Sequence, residues 1–489
     1  MKLSWLFRQS FVYFLGNVIR RAVGFLMIPV YTRFLRPAEY GVIELIELFL
    51  ILTGVAFGTL GVMDAMIRLY HDETDAEQSG AVITTALLST GLAGLAAALL
   101  GLWLAAPLST LLFGDARYLD LIRVSLLAML FSNLAELCLV YQRIRERAAY
   151  FVVFSLLQLA LNLALNIYFI VFAGLGVWGF VLSKLVCSVL GAAAALAGVL
   201  RETRSRPRWQ TMRKLFAFGG PLAFTGLSFF VIHFSDRFFL QRFGDLAQVG
   251  VYALAYKFAF LVTFLVGEPF GRVWNVTLYQ RASHSEWKEE FSRVASYLAF
   301  SLFVVGLALS ILAPDLVLLV ADRAYWSAGL LIPVLVFGYV FREVGDFFRG
   351  VLFINKRVVL FTTITVACAL ENLALNFLLI GRYQAQGAAW ATLLTWFTYM
   401  GACWLLAHWE HRIPYRVSSF TLLCAAAAGI YGLATLSTGL PMPWRFSVNS
   451  VWILMFIGLV WLLRYFPGPV LGAFGRPPGW RPWDSMFRS

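Results

Sequence analysis

Five ionisable residues stand where an apolar chain should carry none. Arg20 and Arg21 lie in the apolar run 11–35, Lys184 in 176–199, Lys257 in 249–271 and Glu371 in 358–381. Each run is long enough to cross a ~30 Å hydrocarbon layer as helix. At ~1.5 Å per residue the two arginines sit ~14 Å deep, near the midplane, and the two lysines ~12 Å from the opposite side. A charge there costs about 2.5–3.5 kcal/mol and is expected to face a cavity or a partner. Four cations against one carboxylate would draw an anion and repel an organic cation. Arginine suits a phosphate in particular, through its planar fork of donors. Asn17, Arg21 and Gly24 share one helical face, a polar and small-residue stripe.

Other polar residues admit two roles. Asp236 and Arg237, near the outer end of run 216–240, fit a helix-joining ion pair as well as a cavity lining. The same holds for Glu44 and Glu47 near the outer end of 41–63. Asn162 with Asn166, and Asn372 with Asn376, each present one face, for interhelical hydrogen bonds or for a ligand. His233 fits a satisfied core histidine. The substrate-binding candidates are therefore Arg20, Arg21, Lys257, Lys184 and Asn17. Glu371, Asp236, Arg237, Asn162, Asn166, Asn372 and Asn376 are candidates for coupling or polar lining. Cys138, Cys187, Cys368, Cys403 and Cys424 lie in or beside apolar runs without a ligand spacing, which is the pattern of small core residues. No metal, cofactor or catalytic set is expected.

The elements that hold these residues follow from composition. The chain is 61% hydrophobic and 13% charged, whereas a soluble domain is nearer ~25% charged. About 14 apolar runs of roughly 20 residues follow one another, apolar all round and so unlike barrel strands. The expectation is an all-α polytopic membrane protein. The net charge of +13 is distributed by side: with the N-terminus inside, about 26 of the 39 Lys and Arg fall on the cytoplasmic side and about 8 opposite. The basic excess is topology, both termini are expected in the cytoplasm, and nucleic acid is not an expected partner. The first run carries two arginines and no small-residue cleavage site, so it is expected to stay as a helix. Pro29, Pro221, Pro269 and Pro333 fall in or beside runs and imply kinks. No connection is long enough for a folded catalytic domain.

The sequence also repeats. Arg33-Phe-Leu-Arg-Pro-Ala-Glu-Tyr-Gly-Val42 returns as Arg242-Phe-Gly-Asp-Leu-Ala-Gln-Val-Gly-Val251, about 209 residues on. Asp115 and Tyr118 return as Asp322 and Tyr325, and Asn162-Leu-Ala-Leu-Asn166 as Asn372-Leu-Ala-Leu-Asn376. Such repeats belong to transporters with a site between two halves. The expected layout is a lobe over 1–200 (six helices) and a basic linker over 201–214. A second six-helix lobe follows over 215–410, then two added helices and a tail over 411–489. An even number of spans per lobe implies a parallel repeat about an axis along the membrane normal.

Ile28-Pro-Val-Tyr-Thr-Arg-Phe-Leu-Arg-Pro-Ala-Glu-Tyr-Gly-Val42, with Asn162-Leu-Ala-Leu-Asn166 and Gly174-Leu-Gly-Val-Trp-Gly179, resembles the polysaccharide-transporter family. These are the Wzx-type flippases of the MOP superfamily, which also holds the MATE exporters and lipid II flippases. The resemblance implies a flippase in a bacterial inner membrane that carries undecaprenyl-pyrophosphate-linked oligosaccharide from the cytoplasmic to the periplasmic leaflet. Its implied partners are that polyprenyl pyrophosphate substrate, membrane lipids and other polysaccharide-assembly proteins. The family's cationic cavity matches Arg20 and Arg21 by place. A MATE-type cation antiporter shares the fold but should concentrate carboxylates. An integral-membrane polymerase or ligase should show a long polar periplasmic loop.

Overall fold

The computed structural model describes residues 24–463 and 465, apart from 57, 58, 74, 204, 282–286, 356 and 416. Every regular element among them is a helix. The first half holds α1 (Ile28–Phe34), α2 (Pro37–Ala56), α3 (Thr59–Asp72), α4 (Ala76–Trp103), α5 (Ala105–Phe113), α6 (Leu119–Ile144), α7 (Ala148–Ile167) and α8 (Gly176–Glu202). Then come α9 (Trp209–Phe243), α10 (Leu246–Ala259), α11 (Glu268–Arg281), α12 (Trp287–Val320), α13 (Ala328–Ile354), α14 (Val358–His411), α15 (Val417–Thr435) and α16 (Met442–Leu462). Ten helical segments among the described residues are long and apolar enough to cross a membrane. Most of the expected first span lies outside the described residues; its end is α1, entered through Pro29 in the first helical turn, where a missing N–H is harmless.

Apolar side chains stand on the outside, as a lipid solvent allows. On α4, Leu92, Leu95, Leu99 and Trp103 are all exposed. Such a row would be a liability in water. The 54-residue α14 is two helices in one run, because Gln384 inside it has φ 53° and ψ −131°. A Cβ on Gly387 would collide with the Leu379 backbone, so the sharp turn there requires glycine. That turn separates the expected runs 358–381 and 387–407.

The described residues pack as two compact units. The first holds those up to Lys257 with Leu316–Leu331 and Thr365–Thr395; the second holds Phe258–Asp315, Ile332–Ile364 and the described residues from Trp396 on. In the first unit, Val62, Met66, Val82, Leu137, Val140 and Val199 form one core between α3, α4, α6 and α8. Small residues allow the closest approaches, as packing in lipid favours. A Cβ on Gly61 would strike Gly219 of α9, and the reverse also holds. Gly41 of α2 and Gly250 of α10 do the same reciprocally: a Cβ on Gly41 would strike the Leu246 carbonyl, and one on Gly250 the Pro37 carbonyl. Pro37 and Gly41 belong to one copy of the repeated motif and Leu246 and Gly250 to the other, at matching places, so the copies meet about a local two-fold.

The other repeated segments also fold alike. Asp115 and Asp322 each cap a single 3-10 turn, accepting from Arg117 N at 2.9 Å and from Ala324 N at 3.0 Å. Asn166 Nδ2 donates to Asn162 Oδ1 at 2.9 Å, and Asn376 Nδ2 to Asn372 Oδ1 at 2.9 Å.

The second unit has an aromatic core. The Phe291 and Phe347 ring centroids are 4.3 Å apart, and Phe291 and Phe348 5.9 Å. α16 is tied to α12 by Arg445, whose guanidinium donates to buried Asp315 at 2.7 Å, with Asn449 Nδ2 at 3.4 Å on the other oxygen. Before α11 the chain forms a wider π turn, Thr263–Gly267. Pro269, which has no N–H for the preceding turn, stands just after it.

Candidate functional site

The first unit encloses a cavity of about 200 Å³ whose lining includes Gly24, Tyr40, Glu44, Glu47, Asn162, Asn166 and Lys257. α2 supplies the carboxylates one helical turn apart, and α10 carries Lys257 to meet them. Lys257 Nζ lies 2.9 Å from Glu44 Oε1 and donates to the Tyr40 hydroxyl. Its ammonium also sits 4.8 Å from the Tyr40 ring centroid. Glu44 is buried, whereas Lys257 keeps 38% of its side chain exposed. Lys184 on α8 reaches Glu47 Oε1 at 3.3 Å. Tyr40 packs edge-on against buried Tyr325, whose hydroxyl donates to Leu35 O at 3.0 Å.

The charge balance read from sequence changes here. By depth alone Lys184 and Lys257 face only Glu371, but in the structure each stands against a carboxylate of α2. Depth along a helix does not reveal what a neighbouring helix supplies, and the run 41–63 sets Glu44 and Glu47 near its outer end. Glu371 is half-buried on α14 and lies outside the cavity lining. Arg20, Arg21 and Asn17 lie outside the described residues. Gly24, the remaining member of their stripe, lines the cavity.

Asp236 and Arg237 form a closed, buried cluster. Arg237 donates to Asp236 Oδ1 at 2.9 Å and to His233 O at 2.8 Å, and Tyr252 donates to Asp236 Oδ2 at 2.5 Å. The guanidinium stacks 4.1 Å from the Tyr256 centroid. Asn372 and Asn376 are buried in a network with Ser235 and Thr395: Ser235 Oγ donates to Asn372 Oδ1 at 3.0 Å, and Asn372 Nδ2 to Thr395 Oγ1 at 3.1 Å. Asn162 and Asn166, their counterparts, line the cavity instead. The same pentapeptide therefore joins helices in one copy and meets open space in the other.

The second unit holds a charged cavity of about 210 Å³ that the sequence reading passed over. Arg342, Glu343, Asp346 and Arg349 of α13 line it with Thr263, Trp274 and Phe347. Four charges within eight residues were a visible signal. The expected span ended at 345, however, and that put them at its edge.

The family model described as "Polysaccharide biosynthesis protein" matches residues 30–328. No curated protein matches the chain by sequence. Among solved structures, the lipid II flippase MurJ in an inward closed conformation is 11% identical, with a TM-score of 0.76 over 93% of this chain and 98% of that one. An inward-facing multidrug resistance MATE family transporter of the MOP superfamily is 16% identical, with a TM-score of 0.65 over 83% and 96%. A MOP superfamily transporter from Pyrococcus furiosus is 15% identical, with a TM-score of 0.51 over 85% and 96%. At these identities the likeness is one of fold. With the family model covering residues 30–328 of 489, and with a helical fold shared with MurJ and the MATE transporters, this multi-pass membrane protein belongs to the polysaccharide biosynthesis protein family.

Proposed function

We propose that the protein is a flippase moving undecaprenyl-pyrophosphate-linked oligosaccharide from the cytoplasmic to the periplasmic leaflet of a bacterial inner membrane, by alternating access. The observation that carries this reading is the polar cavity of about 200 Å³ within the first unit, which reaches Gly24. Helical spacing in the sequence sets Arg21 and Asn17 on the face of Gly24. A pyrophosphate needs counter-charge and hydrogen bonds throughout its passage through hydrocarbon. Arg20 and Arg21 would supply both, with the Lys257–Glu44 pair at the cavity wall tuning the local field. In this reading both termini are cytoplasmic, the lobes are 1–200 and 215–410, and the helices after 411 help house the polyprenyl tail. The N-terminal ends of α2 and α10 then lie on the periplasmic side, so the Gly41–Gly250 contact closes that side and parts when the cavity opens outward. No chemical step on the substrate is part of this function.

Deleting the gene tests the reading, with lipid-linked oligosaccharide expected to accumulate on the cytoplasmic face. Arg20→Ala with Arg21→Ala should abolish complementation at normal membrane levels of protein, and the double lysine variant should restore part of it. Full complementation by a stable double-alanine protein would remove the arginines from the mechanism.

A second reading, a MATE-type cation antiporter, is favoured by one observation: Glu44, Glu47, Glu343 and Asp346 all line cavities among the helices. It requires that deletion sensitise cells to organic cations and leave lipid-linked oligosaccharide in its normal distribution.

A further inference from the structure

The cavity of the second unit has a different chemistry from that of the first. Its floor is the π turn Thr263–Gly267, where Thr263 Oγ1 donates to Glu343 Oε1 at 2.6 Å. A Cβ on Gly267 would collide with Glu343 Oε2, so the carboxylate rests against bare glycine backbone. The charges around it are loosely joined. Arg342 is 3.3 Å from Glu343 and 3.8 Å from Asp346, and Arg349 is 3.3 Å from Asp346. Well-formed pairs of this kind sit at ~2.7–2.9 Å. A hydroxyl can therefore come between these guanidiniums and carboxylates at the expense of long contacts only, while Glu343 keeps its bond from Thr263 and Asp346 the one it accepts from the Tyr399 hydroxyl at 2.8 Å. One wall is aromatic: Trp274 lies 5.8 Å from Phe270 and 5.1 Å from Phe347, at 22° in both cases. The Trp274 indole N–H has no acceptor among the described residues.

The lining selects by charge and by shape. Two guanidiniums against three carboxylates, with Glu268 as the third, leave no excess of positive charge for a pyrophosphate or a uronate. The two guanidiniums offset all but one of the carboxylates, so an organic cation meets little net attraction. A hydroxyl both donates and accepts, so it can bridge a carboxylate and a guanidinium at once. The C–H face of a pyranose is apolar and flat enough to lie on an aromatic ring. The volume, about 210 Å³, is below the ~300–1,000 Å³ of a drug-sized site and suits a single ring.

We propose that this cavity is a subsite for one uncharged hexopyranose of the transported glycan, with Trp274 as its stacking platform and Glu343, Asp346 and Arg342 as its hydroxyl partners. The proposal rests on the flippase reading for the origin of its ligand. The full chain in lipid nanodiscs is examined by saturation-transfer NMR with methyl glycosides of glucose, galactose, mannose and N-acetylglucosamine, and with methyl glucuronide. At least one neutral glycoside should receive saturation through its ring protons, with the glucuronide about ten-fold weaker. Asp346→Asn, which changes no volume, and Trp274→Ala should each weaken binding about ten-fold, the scale of one lost hydrogen bond to a charged group. Trp274→Phe, a milder variant, should retain part of it. The subsite is refuted if no neutral glycoside binds the wild type, if binding is unchanged in Asp346→Asn and Trp274→Phe alike, or if the glucuronide is preferred. Neutral-sugar binding that depends on these residues, in a protein whose gene deletion leaves lipid-linked oligosaccharide undisturbed, would keep the subsite and reject the flippase reading.

Discussion

Replacing Lys257 by Met breaks the ion pair at the cavity wall and exposes what the pair contributes. At 2.9 Å from Glu44, and with an effective dielectric near ~20, the attraction is about 6 kcal/mol before any desolvation. Most of that is offset by taking the two charges out of water, and Lys257 keeps over a third of its side chain exposed, which weakens it further. Glu44, by contrast, is buried. Removing the lysine strands that carboxylate, and breaking such a pair typically costs about 3–5 kcal/mol. The partial exposure of Lys257 places the expected loss near the lower end, about 3 kcal/mol. Glu44→Gln in the same chain removes the stranded charge, so the double variant should recover most of the loss, giving a coupling of about 2 kcal/mol. Equilibrium unfolding of the four proteins in mixed micelles, followed by tryptophan fluorescence, reads these differences. Additive single and double variants would refute the argument and leave Lys257 as an independent cation facing the cavity.

Gly41→Ala and Gly250→Ala should each destabilise by about 1–3 kcal/mol, through overpacking at the α2–α10 crossing. The reciprocal geometry requires similar losses, so a neutral substitution at one site only would break the local two-fold argument; the same unfolding measurement decides. Asp315→Asn should loosen α16 from α12, because it takes the charge from the 2.7 Å contact with Arg445 while keeping the shape. A cysteine placed at the exposed Trp444 and carrying a spin label should then show a broader distance distribution to a second label on α12. An unchanged distribution would mean that apolar packing alone holds the helix.

Fold and repeat were legible because both are written in local patterns. Apolar runs set the helices, and the repeat pairs Tyr40-Gly-Val42 with Val249-Gly-Val251; that their glycines form a crossing is shown only by the structure. Asp115 and Asp322 kept their capping role in both copies for the same reason: a cap acts on its own turn. The candidate site was legible only in part, because it depends on partners distant in sequence. Lys257 could be seen as costly in place, but its acceptor lies on a helix more than 200 residues away. Arg342 to Arg349 escaped because span edges are the least certain feature of an apolar run.

The paired lysines alter what a cationic cavity should mean in this protein. An unpartnered cation near the midplane would hold a pyrophosphate tightly on both sides of the membrane, and a carrier that binds equally well throughout its cycle does not release. Lys257 and Lys184 each share a carboxylate, so an arriving anion must compete with Glu44 or Glu47 for them. That competition lowers affinity and makes it sensitive to any helix motion that changes the 2.9 Å and 3.3 Å separations. Both carboxylates sit on α2, the helix whose Gly41 meets α10, and α10 is the element that carries Lys257. Parting that crossing would shift the Glu44–Lys257 distance in the same motion. In the flippase reading, opening of the cavity and the strength of its hold on an anion would thereby be coupled through one helix pair.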